Sequence, residues 1–196
     1  MKVIIQIPAY NEEPCLAQAL QELPKTLKGI ECVEWLVIDD GSQDKTIEVA
    51  KQNGAHHVIS NTSNLGLAKT FMVGLEHALE LGADIVVNTD ADNQYQAKDI
   101  QKLIDPILAK DADIVIGTRP IQEIPHFSYL KKKLQFLGSW VVRKLSKTTI
   151  EDAPSGFRAI SREAALKLNI FSAYTYTVEM ILQASTKGIA ICSVPV

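Results

Sequence analysis

The 196-residue sequence holds only three cysteines, Cys15, Cys32 and Cys192, at no metal or redox spacing. Dispersed, odd-numbered thiols argue against structural disulfides and for packing residues in a reducing, cytoplasmic setting. No apolar run reaches the roughly 20 residues of a membrane span. The opening Met1-Lys2-Val3-Ile4-Ile5-Gln6-Ile7-Pro8 has the pattern of a strand, not of a signal peptide. His56, His57, His77 and His126 lack ligand spacing. There is no G-x-x-x-x-G-K-[ST], and Gly66-Leu67-Ala68-Lys69-Thr70 matches only its end, which argues against a P-loop NTPase. The missing G-x-G-x-x-G after the first strand argues against a dinucleotide oxidoreductase. Ser155-Gly156 lacks the G-x-S-x-G elbow of a hydrolase. A strong positive balance is also absent, since the net charge is −3. Of 20 Lys and Arg only 7 fall within the first hundred residues, against 15 of the 23 Asp and Glu. An acidic half followed by a basic half argues against nucleic-acid binding and suits acids that hold a metal and later cations that meet phosphates.

What the chain does contain is a regular alternation. Strands are expected at Val3 to Pro8, Glu34 to Ile38, His57 to Ile59, Ile85 to Val87 and Ile114 to Ile116. Helices are expected from about Pro14 to Pro24, over Thr46 to Gln52, from Leu67 to Gly82 and over about Lys98 to Lys110. This order predicts one α/β domain over residues 1–196, with a mostly parallel central sheet and helices on both faces. The closing Ile189-to-Val196 stretch reads as a strand without a capping element, the pattern of a C-terminally truncated domain.

Each strand ends in polar, loop-forming residues: Pro8-Ala9-Tyr10-Asn11-Glu12-Glu13, Asp39-Asp40-Gly41-Ser42-Gln43-Asp44, Asn61 to Gly66, and Gly117-Thr118-Arg119. Ile85-Val86-Val87 runs directly into Asn88-Thr89-Asp90-Ala91-Asp92-Asn93-Gln94-Tyr95. Asp90 and Asp92 project to one side of an extended chain, with slim Ala91 between them and Gln94 offering a neutral oxygen. Paired hard oxygens suit Mg²⁺ or Mn²⁺, and such an ion binds a diphosphate. Taken singly these loops read as turns and caps, with Asp44 capping a helix and Asn64-Leu65-Gly66 turning the chain. Taken together, at one sheet edge, they read as a composite ligand site.

This set of segments, with Asp152-Ala153-Pro154-Ser155-Gly156-Phe157-Arg158, resembles the family-2 glycosyltransferases of GT-A fold over nearly the whole chain. Within them it is most similar to the dolichyl-phosphate mannose synthase group of polyprenyl-phosphate sugar transferases. The resemblance implies that Pro8, Tyr10, Glu12 and Asp39 hold the nucleoside of a GDP- or UDP-sugar, with Asp40 and Lys69 nearby. It implies that Asp90, Ala91 and Asp92, with Gln94, take the metal and diphosphate, and that Arg119 approaches the diphosphate or the incoming phosphate. Gly117-Thr118-Arg119 stands where relatives often have Gly-Ser-Arg. Around Ser128-Tyr129-Leu130-Lys131 the expected Ser-Arg is missing.

Leu130, Leu134, Leu137, Val141 and Leu145 predict a helical packing stripe over Phe127 to Lys147. Lys133, Phe136, Trp140, Arg143, Lys144 and Lys147 lie on another side, and no acid occurs between Glu123 and Glu151. Such a helix is either an ordinary solvated face or a peripheral contact with the cytoplasmic face of an anionic membrane. The expected reaction is inverting sugar transfer to a polyprenyl phosphate or to a saccharide hydroxyl. A hydroxyl would need a base, Glu179 first and Asp152 second. A D-x-D phosphohydrolase and a non-catalytic nucleotide-sugar-binding module are the rival readings.

Overall fold

The computed structural model describes residues 1–92, 94–120, 129–172 and 174–196, and of residues 129–137 the backbone alone. Asn93, the Ser128 region and the side chains of Leu130, Lys131, Lys133, Leu134, Phe136 and Leu137 therefore lie outside the described residues.

Seven strands form one sheet in the order β3-β2-β1-β4-β6-β5-β7. They are β1 (Lys2–Ala9), β2 (Cys32–Asp39), β3 (His57–Ser60), β4 (Ile85–Asn88), β5 (Ile114–Thr118), β6 (Arg158–Ser161) and β7 (Ile191–Pro195). All neighbours run parallel except β6, which pairs antiparallel with both β4 and β5. The expected mostly parallel sheet is present, with one strand that the sequence pattern did not reveal.

Strand alternation splits the core into two layers. Val3, Ile5, Ile7, Trp35, Val37, Ile85 and Val87 point to one face. That face is covered by α1 (Leu16–Glu22), α2 (Thr46–Gln52) and α4 (Ile100–Leu108). Ile4, Leu36, Ile38 and Val86 point to the other, beneath α3 (Leu67–Glu80), α5 (Tyr129–Ser146), α6 (Arg162–Lys167) and α7 (Thr177–Thr186).

The packing stripe expected on α5 is out of phase over its described part. Val141 and Leu145 are exposed, while Ser139, Val142 and Ser146 face inward. Serine can occupy that side because its hydroxyl finds local partners. Ser146 Oγ donates to the Val142 carbonyl at 2.7 Å, and Ser139 Oγ accepts from Ala153 N at 3.3 Å. A pattern built on apolar residues alone misses such a face.

Across β1, β2 and β3, Glu34 ties the sheet edge together through Lys2 Nζ at 2.8 Å and His57 Nε2 at 2.7 Å. Partial burial pushes the Glu34 carboxyl up, but the bonds from Lys2, His57 and Cys32 outweigh it and bring it down to about 2. Its folded value is depressed, so its stabilising contribution is full above the ordinary value of 4.5 and is lost as pH falls towards 2. Glu34→Gln is expected to flatten the acid limb of stability in that window. Urea midpoints measured across it check this, and an unchanged acid limb would remove Glu34 from the account.

Candidate active site

The parallel strands β1, β2, β4 and β5 end on one edge of the sheet, and antiparallel β6 begins there. Loops converge on this edge because strand polarity puts them there. The loops after β1 and β2 are joined backbone to side chain. Asn11 N donates to Ser42 Oγ at 2.8 Å, Glu12 N to Thr46 Oγ1 at 2.9 Å, Glu13 N to Asp44 Oδ2 at 3.1 Å, and Gln43 N to Asn11 Oδ1 at 2.9 Å. Gly41 has φ +74°, and a Cβ there would lie 2.7 Å from the Ser63 carbonyl carbon. Only glycine lets the second loop rest on the third.

The nucleoside candidates fall into two kinds. Tyr10 is exposed at the rim, Pro8 is half-buried, and Lys69 is exposed in the first turn of α3. Asp39 and Asp40 are both buried. Asp39 accepts from Ser42 N at 3.3 Å and from Ser60 Oγ at 2.8 Å. Asp40 accepts from Leu65 N at 2.8 Å, Gly66 N at 2.9 Å and Asn61 Nδ2 at 2.9 Å. Burial pushes the Asp40 carboxyl up, and these donors together hold it below the ordinary range. Asp40 therefore clamps the 61–66 loop.

Beyond β4, Asp90 is half-buried and Asp92 exposed, with Asp92 Oδ1 accepting from Gln94 N at 3.1 Å. The Gln94 side chain is exposed. Burial, and then the Asp92 charge, push the Asp90 carboxyl up to about 6; Arg119 opposes this and Glu12 adds to it. Three elements thus bring charge to one place. Gly156 leaves room there, since a Cβ on it would lie 3.1 Å from Asp90 Oδ1 and 3.2 Å from the Tyr176 hydroxyl. Crowded hard oxygens short of compensating positive charge fit a divalent cation. Among the described residues no third His, Cys, Asp or Glu joins the pair.

Arg119 is held by a carboxylate 33 residues further along the chain. Its Nε donates to Asp152 Oδ2 at 2.8 Å and its Nη2 to Oδ1 at 3.1 Å, a two-pronged pair with Asp152 fully buried. Its guanidinium carbon lies 5.8 Å from the centre of the Tyr95 ring. Asp152 is thus engaged in fixing Arg119. Glu179 accepts from Phe171 N at 3.0 Å, Ser172 N at 2.8 Å and Gln183 Nε2 at 2.9 Å. Burial pushes the Glu179 carboxyl up, and these bonds bring it below the ordinary value. Both residues expected as bases accept hydrogen bonds from groups of their own chain.

Other residues at this edge carried no role in the sequence reading. Asn88 Nδ2 donates to the Gly156 carbonyl at 2.9 Å and to the Tyr176 hydroxyl at 3.0 Å. The Tyr95 hydroxyl accepts from Gly156 N at 3.2 Å. Buried Arg158 reaches the carbonyls of Ser155 at 2.8 Å, Ala153 at 2.7 Å and Thr177 at 2.8 Å. The only sequence signal was a polar Asn88 closing an apolar strand, and a motif arginine with no acid beside it.

The model of glycosyl transferase family 2 matches residues 4–168. The chain belongs to this family. An undecaprenyl-phosphate mannosyltransferase of Micrococcus luteus is 29% identical over 210 residues, covering 100% of this chain and 83% of its own. A UDP-N-acetylglucosamine–dolichyl-phosphate N-acetylglucosaminyltransferase of Methanococcus voltae is 32% identical over 181 residues, covering 83% and 70%. Glucosyl-3-phosphoglycerate synthase of Mycobacterium tuberculosis, crystallised with Mn²⁺, uridine diphosphate and glucosyl-3-phosphoglycerate, aligns with a TM-score of 0.79. It does so over 99% of this chain and 69% of that one, and at 22% identity the likeness establishes the GT-A fold. This family-2 glycosyltransferase is therefore an enzyme of sugar transfer, and the phosphohydrolase reading is set aside. Among its described residues no helix is long and apolar enough to cross a membrane.

Proposed function

We propose that this glycosyltransferase moves a sugar, with inversion, from a nucleoside-diphosphate sugar to a polyprenyl phosphate. The observation that carries the reading is the Arg119–Asp152 pair standing beside Asp90 at the strand ends. Pro8, Tyr10, Glu12 and Asp39 would hold the nucleoside of a UDP- or GDP-sugar, Asp39 accepting from a base N–H. Asp90 and Asp92, with Gln94, would hold Mg²⁺ or Mn²⁺, which when bound offsets negative charge growing on the departing diphosphate. Arg119 cannot swing away, because both prongs of its fork are fixed by Asp152, so its charge is in place before the bond breaks.

The acceptor choice follows from protons. A phosphate oxygen is already ionised at neutral pH and attacks the anomeric carbon without a base. A sugar hydroxyl needs one, and Glu179 and Asp152 are committed to other bonds. The names of the bacterial and archaeal relatives, both of which carry polyprenyl phosphates, support the same acceptor.

A thermal-shift panel of UDP-, GDP- and dTDP-sugars with and without Mn²⁺ is expected to give one donor whose stabilisation depends on the metal. With that donor labelled, the label should pass into the organic phase when polyprenyl phosphate is supplied. Label appearing only in water-soluble saccharide would overturn the acceptor. Stabilisation indifferent to Mn²⁺ would overturn the role of Asp90 and Asp92.

A further inference from the structure

Ten large hydrophobic side chains are exposed among the described residues, and six of them come from the α5-to-α7 part of the chain. They are Trp140, Val141 and Leu145 on α5, Leu166 on α6, and Phe171 and Tyr174 in the loop before α7. These elements cover one and the same face of the sheet. α5 and α7 are joined by Ser185 Oγ donating to the Ser146 carbonyl at 2.6 Å.

The loop is the telling part. Phe171 is 81% exposed and Tyr174 89%, values at which a side chain rests on almost nothing of its own protein. Its backbone is nevertheless pinned. Glu179 takes the N–H groups of Phe171 and Ser172, and Ser172 Oγ takes those of Tyr174 and Thr175, at 3.2 and 3.3 Å. A loop held this way loses little further entropy when its aromatic rings are buried by something else.

Charge selects the partner. Between residues 138 and 188 the exposed charged side chains are Lys144, Lys147, Arg162, Lys167 and Lys187, against Glu151 and Glu163. The other two acids of the stretch are internal, Asp152 to Arg119 and Glu179 to the loop itself. Exposed aromatics within a cationic surface match the interface of an anionic bilayer, where rings settle at headgroup depth and Lys or Arg meets lipid phosphate.

We propose that the face built by the described part of α5, α6, α7 and residues 169–172 and 174–176 docks on an anionic membrane, with Phe171 and Tyr174 as the inserted side chains. The proposal rests on the polyprenyl-phosphate reading for its purpose, since that acceptor lies in a bilayer, but its test does not need the acceptor. Full-length protein is mixed with vesicles of phosphatidylcholine alone or with phosphatidylglycerol, free of any polyprenyl lipid. The expected result is sedimentation with the anionic vesicles only, weakened by salt. Phe171→Ser with Tyr174→Ser should cut that partition roughly tenfold or more, from the lost burial of two aromatic rings. Its melting temperature and Mn²⁺-dependent nucleotide binding should be unchanged. Wild-type protein that ignores anionic vesicles, or a double variant that adsorbs equally well, overturns the proposal. So does concentration-dependent self-association of the wild type that the double variant loses without any vesicle binding, which assigns the face to a second copy of the chain. Adsorption without transfer to polyprenyl phosphate leaves the docking surface standing and refutes the acceptor instead.

Discussion

Arg158→Met is expected to lower the unfolding free energy by about 3–5 kcal/mol, read from urea denaturation. Arg158 is wholly buried, no carboxylate among the described residues forms an ion pair with it, and burial pulls its guanidinium down to about 10. Removing an isolated buried charge would by itself favour the fold. The decisive term is what the charge leaves behind. Three carbonyls, of Ala153, Ser155 and Thr177, would lose their donor inside the protein, at roughly 1–3 kcal/mol each. Methionine fills the space and satisfies none of them. Lysine, a point charge without the planar fork, cannot span all three and should rescue little. Because Ala153 and Ser155 belong to the segment that presents Asp152 to Arg119, donor turnover should fall in any molecules that remain folded. A variant within about 1 kcal/mol of wild type would show that the carbonyls find other partners.

Asp90→Asn is expected to weaken Mn²⁺-dependent binding of the nucleoside diphosphate by at least roughly a hundredfold, since a metal contact of this kind is worth several kcal/mol. The same change should leave the melting temperature of the ligand-free protein equal or higher. Asp90 is half-buried beside Asp92 and within the field of Glu12, so its negative charge works against the fold until a cation arrives. Opposite signs for stability and binding are the mark of a residue kept for a ligand. Calorimetry with and without Mn²⁺, paired with melting curves, reads both. Undiminished metal-dependent binding, or a large loss of stability, would place Asp90 among the structural acids instead.

The sheet was legible wherever a run of apolar residues stood alone between polar ends. Ile85 to Val87, buried on both sides, could be recognised from composition, and so could the Leu67-to-Gly82 helix. β6 was not legible, because it is four residues long, opens on an arginine and gains its identity from β4 and β5 on either side. The D-x-D segment and Arg119 announced themselves by position at strand ends. The fate of the other carboxylates could not be read that way. Asp152 and Asp40 are defined by donors more than twenty residues away, Glu179 by the N–H groups of a loop seven and eight residues before it, and nothing in the residue pattern separates an acid that clamps a loop from one that takes a proton. On α5 the failure was of phase: the stripe ran through Val141 and Leu145, while the inward positions carry Ser139 and Ser146, which have their own backbone partners.

Placing β6 between β4 and β5 has a consequence for the birth of the protein. β4 pairs on one side with β1, which is made first, and on the other with residues 158–161, roughly seventy residues further along. At about 5–20 residues per second a ribosome needs several seconds to deliver them. For that interval the nascent chain carries Ile85-Val86-Val87 as an open, apolar strand edge, the kind of template on which a second nascent chain can pair. Chaperone dependence during translation, and polysome-linked aggregation when synthesis stalls between residues 100 and 157, are therefore the outcomes expected of the topology that holds the D-x-D loop in place.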